Sequence, residues 1–252
     1  MAGEPRIKLS QINFAQKITD MRVDPIEMQR HLSALPLFSK LTPPERDDVA
    51  QGCTLRRLGR GAMVLRAGEA CDAFHFVVSG QVKLFVASAS GMEKIIELVG
   101  PGHSFAEAML FLPKPCMLNA QTLCETLLMT VSKQAVFSGI ERDPRFSMDL
   151  LSGISHGLHQ LLLDVQSYTL HNGMQRLIGY LLRDVDLGQE CEGGSVTVSL
   201  PVSKAAIASR LSLTPEYFSR VLHQLESDRL IEIDRREIRI LDVHRLAGYG
   251  AH

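Results

Sequence analysis

The stretch Val202–Asp242, VSKAAIASRLSLTPEYFSRVLHQLESDRLIEIDRREIRILD, decides how this chain is read. Ser203 can cap a short helix through Arg210 that buries Ala206, Ile207 and Leu211. Thr214 and Pro215 then restart a second helix with a cap followed by a proline at its first position. Two helices joined by a turn of about three residues form a helix-turn-helix. On the second helix Phe218, Val221, Leu222 and Leu225 make the inward stripe, leaving Glu216, Ser219 and Arg220 together on the other side. Ser212 occupies a turn position where such motifs often use glycine.

Those three side chains carry the chemistry that base edges require. Arginine donates to guanine O6 and N7, glutamate accepts from cytosine N4, and serine serves either. They fall in the first turns, where a recognition helix touches a major groove. Ser203, Lys204, Thr214 and Tyr217 complete the expected DNA-contacting set. Between 199 and 220, Lys204, Arg210 and Arg220 face Glu216 alone, so the side that would meet phosphate reads as basic. The alternation LIEIDRREIRIL (Leu230–Leu241) adds a hairpin like the wing of a winged helix. A solvated helix face with an internal Glu216–Arg220 pair is the competing reading; cap, proline, turn and wing together outweigh it.

Upstream, the character is different. FHFVVSG (Phe74–Gly80), QVKLFVA (Gln81–Ala87), EKIIELV (Glu93–Val99) and TLLMTV (Thr126–Val131) read as strands, with turns at Ser88–Gly91 and Gly100–Gly102. Short strands at this spacing predict an antiparallel roll with an apolar interior. At Asp143-Pro144 a cap and a first-position proline open a long helix. Along it Leu151, Ile154, Leu158, Leu161, Val165 and Tyr168 recur at spacings of 3, 4, 3, 4 and 3, the rhythm of a seam between two helices. That predicts a homodimer; a helix packed only on its own domain is the plainer alternative. His171-Asn172-Gly173 breaks the helix, a second one follows to about Val185, and LGQECEGG is a polar loop.

The expected plan is α+β: an extension over 1–30, a β-roll sensor over 31–142, a dimerisation helix over 143–171 and a winged helix-turn-helix over 172–252. The 252 residues are 45% hydrophobic and 22% charged, with a mean hydropathy of +0.05, which disfavours disorder and collagen. Lys and Arg number 27 against 28 Asp and Glu, so net charge neither announces a polyanionic partner nor forbids one. Cys53, Cys71, Cys116, Cys124 and Cys191 are scattered without a CxxC pair, which fits a reduced compartment and argues against a zinc or four-thiolate site. No run approaches the roughly 18 apolar residues of a membrane helix and the N-terminus lacks the pattern of a signal peptide, so a cytoplasmic protein without a membrane partner is expected.

Roll, long helix and C-terminal winged helix, in that order, resemble the CRP/FNR superfamily of bacterial transcription regulators across about 31–246. Glu216-Tyr217-Phe218-Ser219-Arg220 looks like the FNR-type recognition helix; the resemblance implies an inverted repeat of TTGAT-like half-sites in double-stranded DNA, and RNA polymerase as a partner of an activator. Cyclic-nucleotide members grip the ligand with a Gly-Glu pair and an Arg about ten residues on. Here Glu107 is present, but the only cation between Met109 and Asn119 is Lys114, so cAMP is not expected. The several N-terminal cysteines of FNR's iron–sulfur cluster are also missing, the first cysteine being Cys53.

Ser79–Pro115 and Val202–Leu225 are instead similar to the DNR branch, which is linked to nitric oxide and thought to carry haem. A b-type haem needs an apolar slot and one or two imidazoles. Phe105, Glu107 and Met109, with Leu110 and Phe111, are the expected slot; His31, His75, His103, His156, His159 and His171 are the available imidazoles. His159, at the centre of the long helix, is the expected iron ligand. No nucleophile-base pair, Walker loop or HExxH motif occurs, so an enzyme is not expected. The rival readings are a nucleotide-binding regulatory subunit that acts by protein contact, and a haem protein with chemistry of its own.

Overall fold

The structure is a computed structural model that describes residues 19–21, 25–35, 38, 41–183, 185 and 195–249. Strand β1 (Thr19–Met21) pairs antiparallel with β2 (Cys53–Leu58). Helices α1 (Pro25–Ala34) and α2 (Pro43–Ala50) lie between them in sequence. Met28 and Leu32 are buried on one face of α1, and Leu35 just after it is buried with them. Three apolar residues at i, i+4 and i+7 in a polar setting are too weak a stripe to stand out in sequence, but they suffice once a sheet is there to cover.

The roll is built from two antiparallel sheets. One has the order β1-β2-β9-β4-β7, with β4 at Ala73–Ser79, β7 at Ser104–Phe105 and β9 at Thr126–Ser132. The other has the order β3-β8-β5-β6, with β3 at Met63–Leu65, β5 at Val82–Ala87, β6 at Glu93–Val99 and β8 at Asn119–Thr122. All four expected strands are present. The five others described, β1, β2, β3, β7 and β8, are either too short or too mixed in composition for alternation to mark them. Between β4 and β5, Gly80 has φ +94°, and a Cβ there would come within 2.6 Å of the Glu125 carbonyl, so the turn requires glycine.

Successive side chains of a strand point to opposite faces. Val77, Leu84, Phe105 and Leu128 fill the roll, whereas Phe74, Phe76 and Met129 face outward onto helices. There Phe38 stacks on Phe146 and meets Phe76, each at 5.8 Å between ring centroids. Phe146 belongs to α4 (Pro144–Leu170), which follows α3 (Lys133–Arg142) and is capped by Asp143, whose carboxylate accepts from the Arg145 amide at 2.9 Å. Only Phe146 and Leu150 of this helix are buried, so its first two turns are anchored and the remainder projects from the roll.

After Leu170 the chain breaks at His171-Asn172, and Asn172 caps α5 (Gly173–Leu182). The polar loop read at 187–194 lies outside the described residues. The rest is the expected module: β10 (Val196–Ser199), α6 (Lys204–Arg210), α7 (Pro215–Ser227), the hairpin β11 (Ile231–Asp234) and β12 (Glu237–Ile240), and α8 (Val243–Gly248). Strand β10 pairs with β12 and widens the wing to three strands. Among the described residues no helix is long and apolar enough to cross a membrane.

Candidate nucleic-acid interface

Helix α6 starts at Ser203, whose hydroxyl accepts from the Ala206 amide, and α7 starts at Thr214, whose hydroxyl accepts from the Tyr217 amide at 3.2 Å. Both caps fall where the sequence places them. Ser212 takes φ +56° in the intervening turn, the left-handed conformation that favours glycine, and the Leu213 amide donates to the Ala208 carbonyl at 2.9 Å to close it. Ala206, Ile207, Phe218, Val221, Leu222 and Leu225 interlock in the module's core.

Burying that stripe leaves Glu216, Ser219 and Arg220 exposed side by side on the first turns of α7. Ser203, Lys204 and Thr214 are exposed as well. Tyr217 is half-buried and supports its neighbour, with the Arg220 guanidinium 4.9 Å from the centre of its ring. On the other side the ring meets Gly173, where a Cβ would come within 2.6 Å of Tyr217 Cε1. A glycine at the first position of α5 thus lets Tyr217 wedge between helices while it orients Arg220.

The basic face differs from the one expected. Arg210, counted from sequence among the phosphate-facing cations, is buried and ion-paired with Asp164 of α4. It also donates to the Tyr168 hydroxyl, which in turn donates to the Arg210 carbonyl. Helical periodicity puts Arg210 on a polar face but cannot tell that α4 covers that face. Exposed positive charge comes instead from Lys204 and Arg220, joined by Arg235 and Arg236 at the tip of the hairpin, a pair that sequence alone marks only as polar turn residues.

The α4 stripe divides in two. Leu151, Leu158, Leu161 and Val165 are 55, 58, 49 and 58% exposed, a contiguous apolar surface on a single chain, and Ile154 is half-buried. Tyr168, expected in the same seam, is instead turned into its own chain's winged module. Leu162 and Leu163, off the heptad line, are exposed too.

In the roll, Phe105 is buried, Glu107 and Met109 are half-buried, and Lys114 is exposed. The Ser104 hydroxyl donates to Glu107, and burial raises the Glu107 carboxyl above its ordinary range. His159, the imidazole selected from sequence, is exposed on α4. The imidazole against Phe105 is His75, with ring centroids 5.1 Å apart. Its Nδ1 lies 3.0 Å from the Thr130 hydroxyl, and its Nε2 is buried without a hydrogen-bond partner among the described residues. Desolvation, with Arg56 nearby, pushes its pKa down to about 4, so the ring is neutral near pH 7. Nothing in the spacing of the sequence distinguishes His75 from the other histidines; only the register that pairs it with Phe105 and Thr130 does.

Two sequence families match this geometry: a Cyclic nucleotide-binding domain over residues 55–143 and a Crp-like helix-turn-helix domain over 175–249. The chain is similar to the CRP-like cAMP-activated global transcriptional regulator of Mycobacterium tuberculosis, with 25% identity over 188 residues, 75% of this chain and 84% of that one. FixK2 from Bradyrhizobium japonicum shares the fold, with a TM-score of 0.69 at 21% identity over 79% of this chain and 98% of that one. DNR from Pseudomonas aeruginosa is 33% identical over 90% of this chain and 98% of that one, with a TM-score of 0.48. The matched modules and relatives are those of regulators and not of enzymes.

Proposed function

The chain belongs to the CRP/FNR family of DNA-binding transcription regulators, and from that premise we propose that it acts as a homodimer reading an inverted repeat of TTGAT-like half-sites. The observation that carries the proposal is the solvent-facing trio Glu216, Ser219 and Arg220 on a capped helix whose opposite face is fully packed. The dimer is supported by the open Leu151–Val165 stripe, which two copies of α4 would cover in a knobs-into-holes seam. A two-fold pair sets two recognition helices on half-sites one turn of DNA apart. Arg236 and Arg235 are then placed to neutralise flanking phosphates, and activation through RNA polymerase follows the family pattern.

A gel-shift titration on such a repeat tests the reading. Wild type should bind with a steep salt dependence and sediment as a dimer, and Arg220→Ala should lose about 1–3 kcal/mol and relax discrimination at one base pair. Equal affinity of wild type and Arg220→Ala for the repeat would refute the assignment of that side chain.

The effector we propose is a gas such as nitric oxide, met by haem b in the roll, without cAMP or an iron–sulfur cluster. Support comes from the buried, neutral His75, whose Nε2 lone pair is free if Nδ1 donates to Thr130, packed against Phe105, a residue expected to line the haem site. A neutral imidazole such as that of His75 could hold haem iron, and the bound haem would supply gas binding. His159 would hold such a group only at the helix surface, so His75 replaces it as the candidate ligand. Haemin reconstitution distinguishes them: the Soret band should change in His75→Ala and not in His159→Ala, and the reverse outcome would restore His159.

A further inference from the structure

The exposed reading trio can recognise a two-fold site only if its module is held at a fixed attitude to α4, and the module's attachment involves more than the hinge at His171-Asn172. Strand β6 of the roll also reaches it. Lys94 Nζ donates to the carbonyls of Ser209 and Arg210, the latter at 3.2 Å, and to the Ser212 hydroxyl at 2.7 Å. The next residue, Ile95, donates its amide to the Ser209 hydroxyl at 3.2 Å, while its side chain and that of Phe85 join the module's apolar core. From α4, Asp164 and Tyr168 clamp Arg210. The Lys94 ammonium also stands 5.3 Å from the centre of the Tyr168 ring.

Three separate parts of the chain, a sensor strand, the end of the long helix and the last turn of α6, thus converge on a few atoms. A cation at the carbonyl end of a helix satisfies acceptors that the helix leaves open and complements its dipole. The contact leaves Glu216, Ser219 and Arg220 uncovered: with it closed, the reading face is open.

We infer that Lys94 is a positioning residue through which the sensor's β6 strand holds the helix-turn-helix in its DNA-competent attitude. The inference rests on the DNA-binding reading above and goes beyond it: the family match concerns each module, and this contact joins them. The charges around Lys94 balance narrowly. Partial burial disfavours its charge, Arg210 and Arg176 repel it and Asp164 attracts it, and together these draw its pKa down to about 8. Arg176 is itself tied to the same turn, its guanidinium donating to the Ser212 carbonyl at 3.5 Å and lying 5.8 Å from the centre of the Tyr168 ring. The clasp thus places a partly buried cation among two guanidiniums and one carboxylate, held by its hydrogen bonds to the end of α6 and the turn after it.

The test uses the full chain, a specific duplex selected with wild type, and an unrelated duplex. Lys94→Met keeps the stem and removes the donors; Ser212→Ala removes one acceptor from the other side, and Lys94→Arg should restore part of the contact. Loss of two or three charge-assisted hydrogen bonds should weaken specific binding by roughly tenfold in Lys94→Met while leaving affinity for the unrelated duplex unchanged. Hydrogen exchange should accelerate at the Ile95 amide and the last turn of α6. Ser212→Ala should move both readouts the same way by less, and Lys94→Arg should return toward wild type. Unchanged specific affinity or unchanged exchange in Lys94→Met overturns the inference, as does tighter binding, which would make the clasp a restraint against DNA. A wild-type chain that selects no duplex overturns the DNA-binding reading, and this inference with it.

Discussion

The winged module and the roll handle their polar side chains in opposite ways. In the module the side chains we propose read bases, Glu216, Ser219 and Arg220, stand in water over an apolar core. In the roll some polar groups are buried instead: His75, Thr122 and Thr126 are covered, and burial holds the Cys53 thiol up at about 12. One region is built to meet a partner outside itself. The other keeps its chemistry in a low-dielectric interior, where protonation and binding are coupled to packing. Perturbation should therefore damage them in different ways, through lost packing in the module and through protonation in the roll.

The largest expected effect sharpens the module's side of that contrast. Phe218 is fully buried between α6 and α7, and Phe218→Ala should cost about 3–5 kcal/mol through lost transfer energy and a cavity. Urea unfolding followed by a probe in the module measures it; a loss below about 1 kcal/mol would mean the core is not the one described.

The next effect belongs to the roll and depends on pH. Folded His75 stays neutral down to about pH 4, whereas an unfolded histidine takes up a proton near 6.5. The unfolded chain therefore binds more protons between those values, and the stability present above pH 6.5 is lost as pH falls toward 4, by about 3 kcal/mol. His75→Gln should lose that much less over the same interval in paired urea titrations. Equal pH dependence in the two proteins would break the contrast, since His75 would then titrate as an exposed group.

The smallest effect is an intended near-zero. Arg220→Ala, which we propose weakens DNA binding, should change unfolding free energy by no more than about 0.5 kcal/mol, because the side chain is exposed and, among the described residues, rests on the Tyr217 ring. A larger loss of stability would make Arg220 a structural residue first.

Legibility in the sequence follows the same division. Ser203, Thr214-Pro215 and the stripe Phe218, Val221, Leu222 and Leu225 could be placed because caps and helical periodicity act within a few residues. Glu93–Val99 was legible as a strand for the same reason. Arg210 misled, since its neighbours in sequence say nothing of Asp164, 46 positions away. Tyr168 misled likewise: a heptad spacing specifies a face of the helix and not what covers each turn of it.

Order along the chain was enough to set where the helices and most strands begin, which faces are apolar, and that a capped pair of helices presents Glu216, Ser219 and Arg220; these depend on backbone preferences and short-range side-chain patterns. It took the folded molecule to show that His75 rather than His159 lies against Phe105, that Arg210 is a buried clasp and that Lys94 ties the roll to the module. Burial and pairing arise between residues brought together by strand register and domain docking, and such contacts leave no periodic trace along the chain.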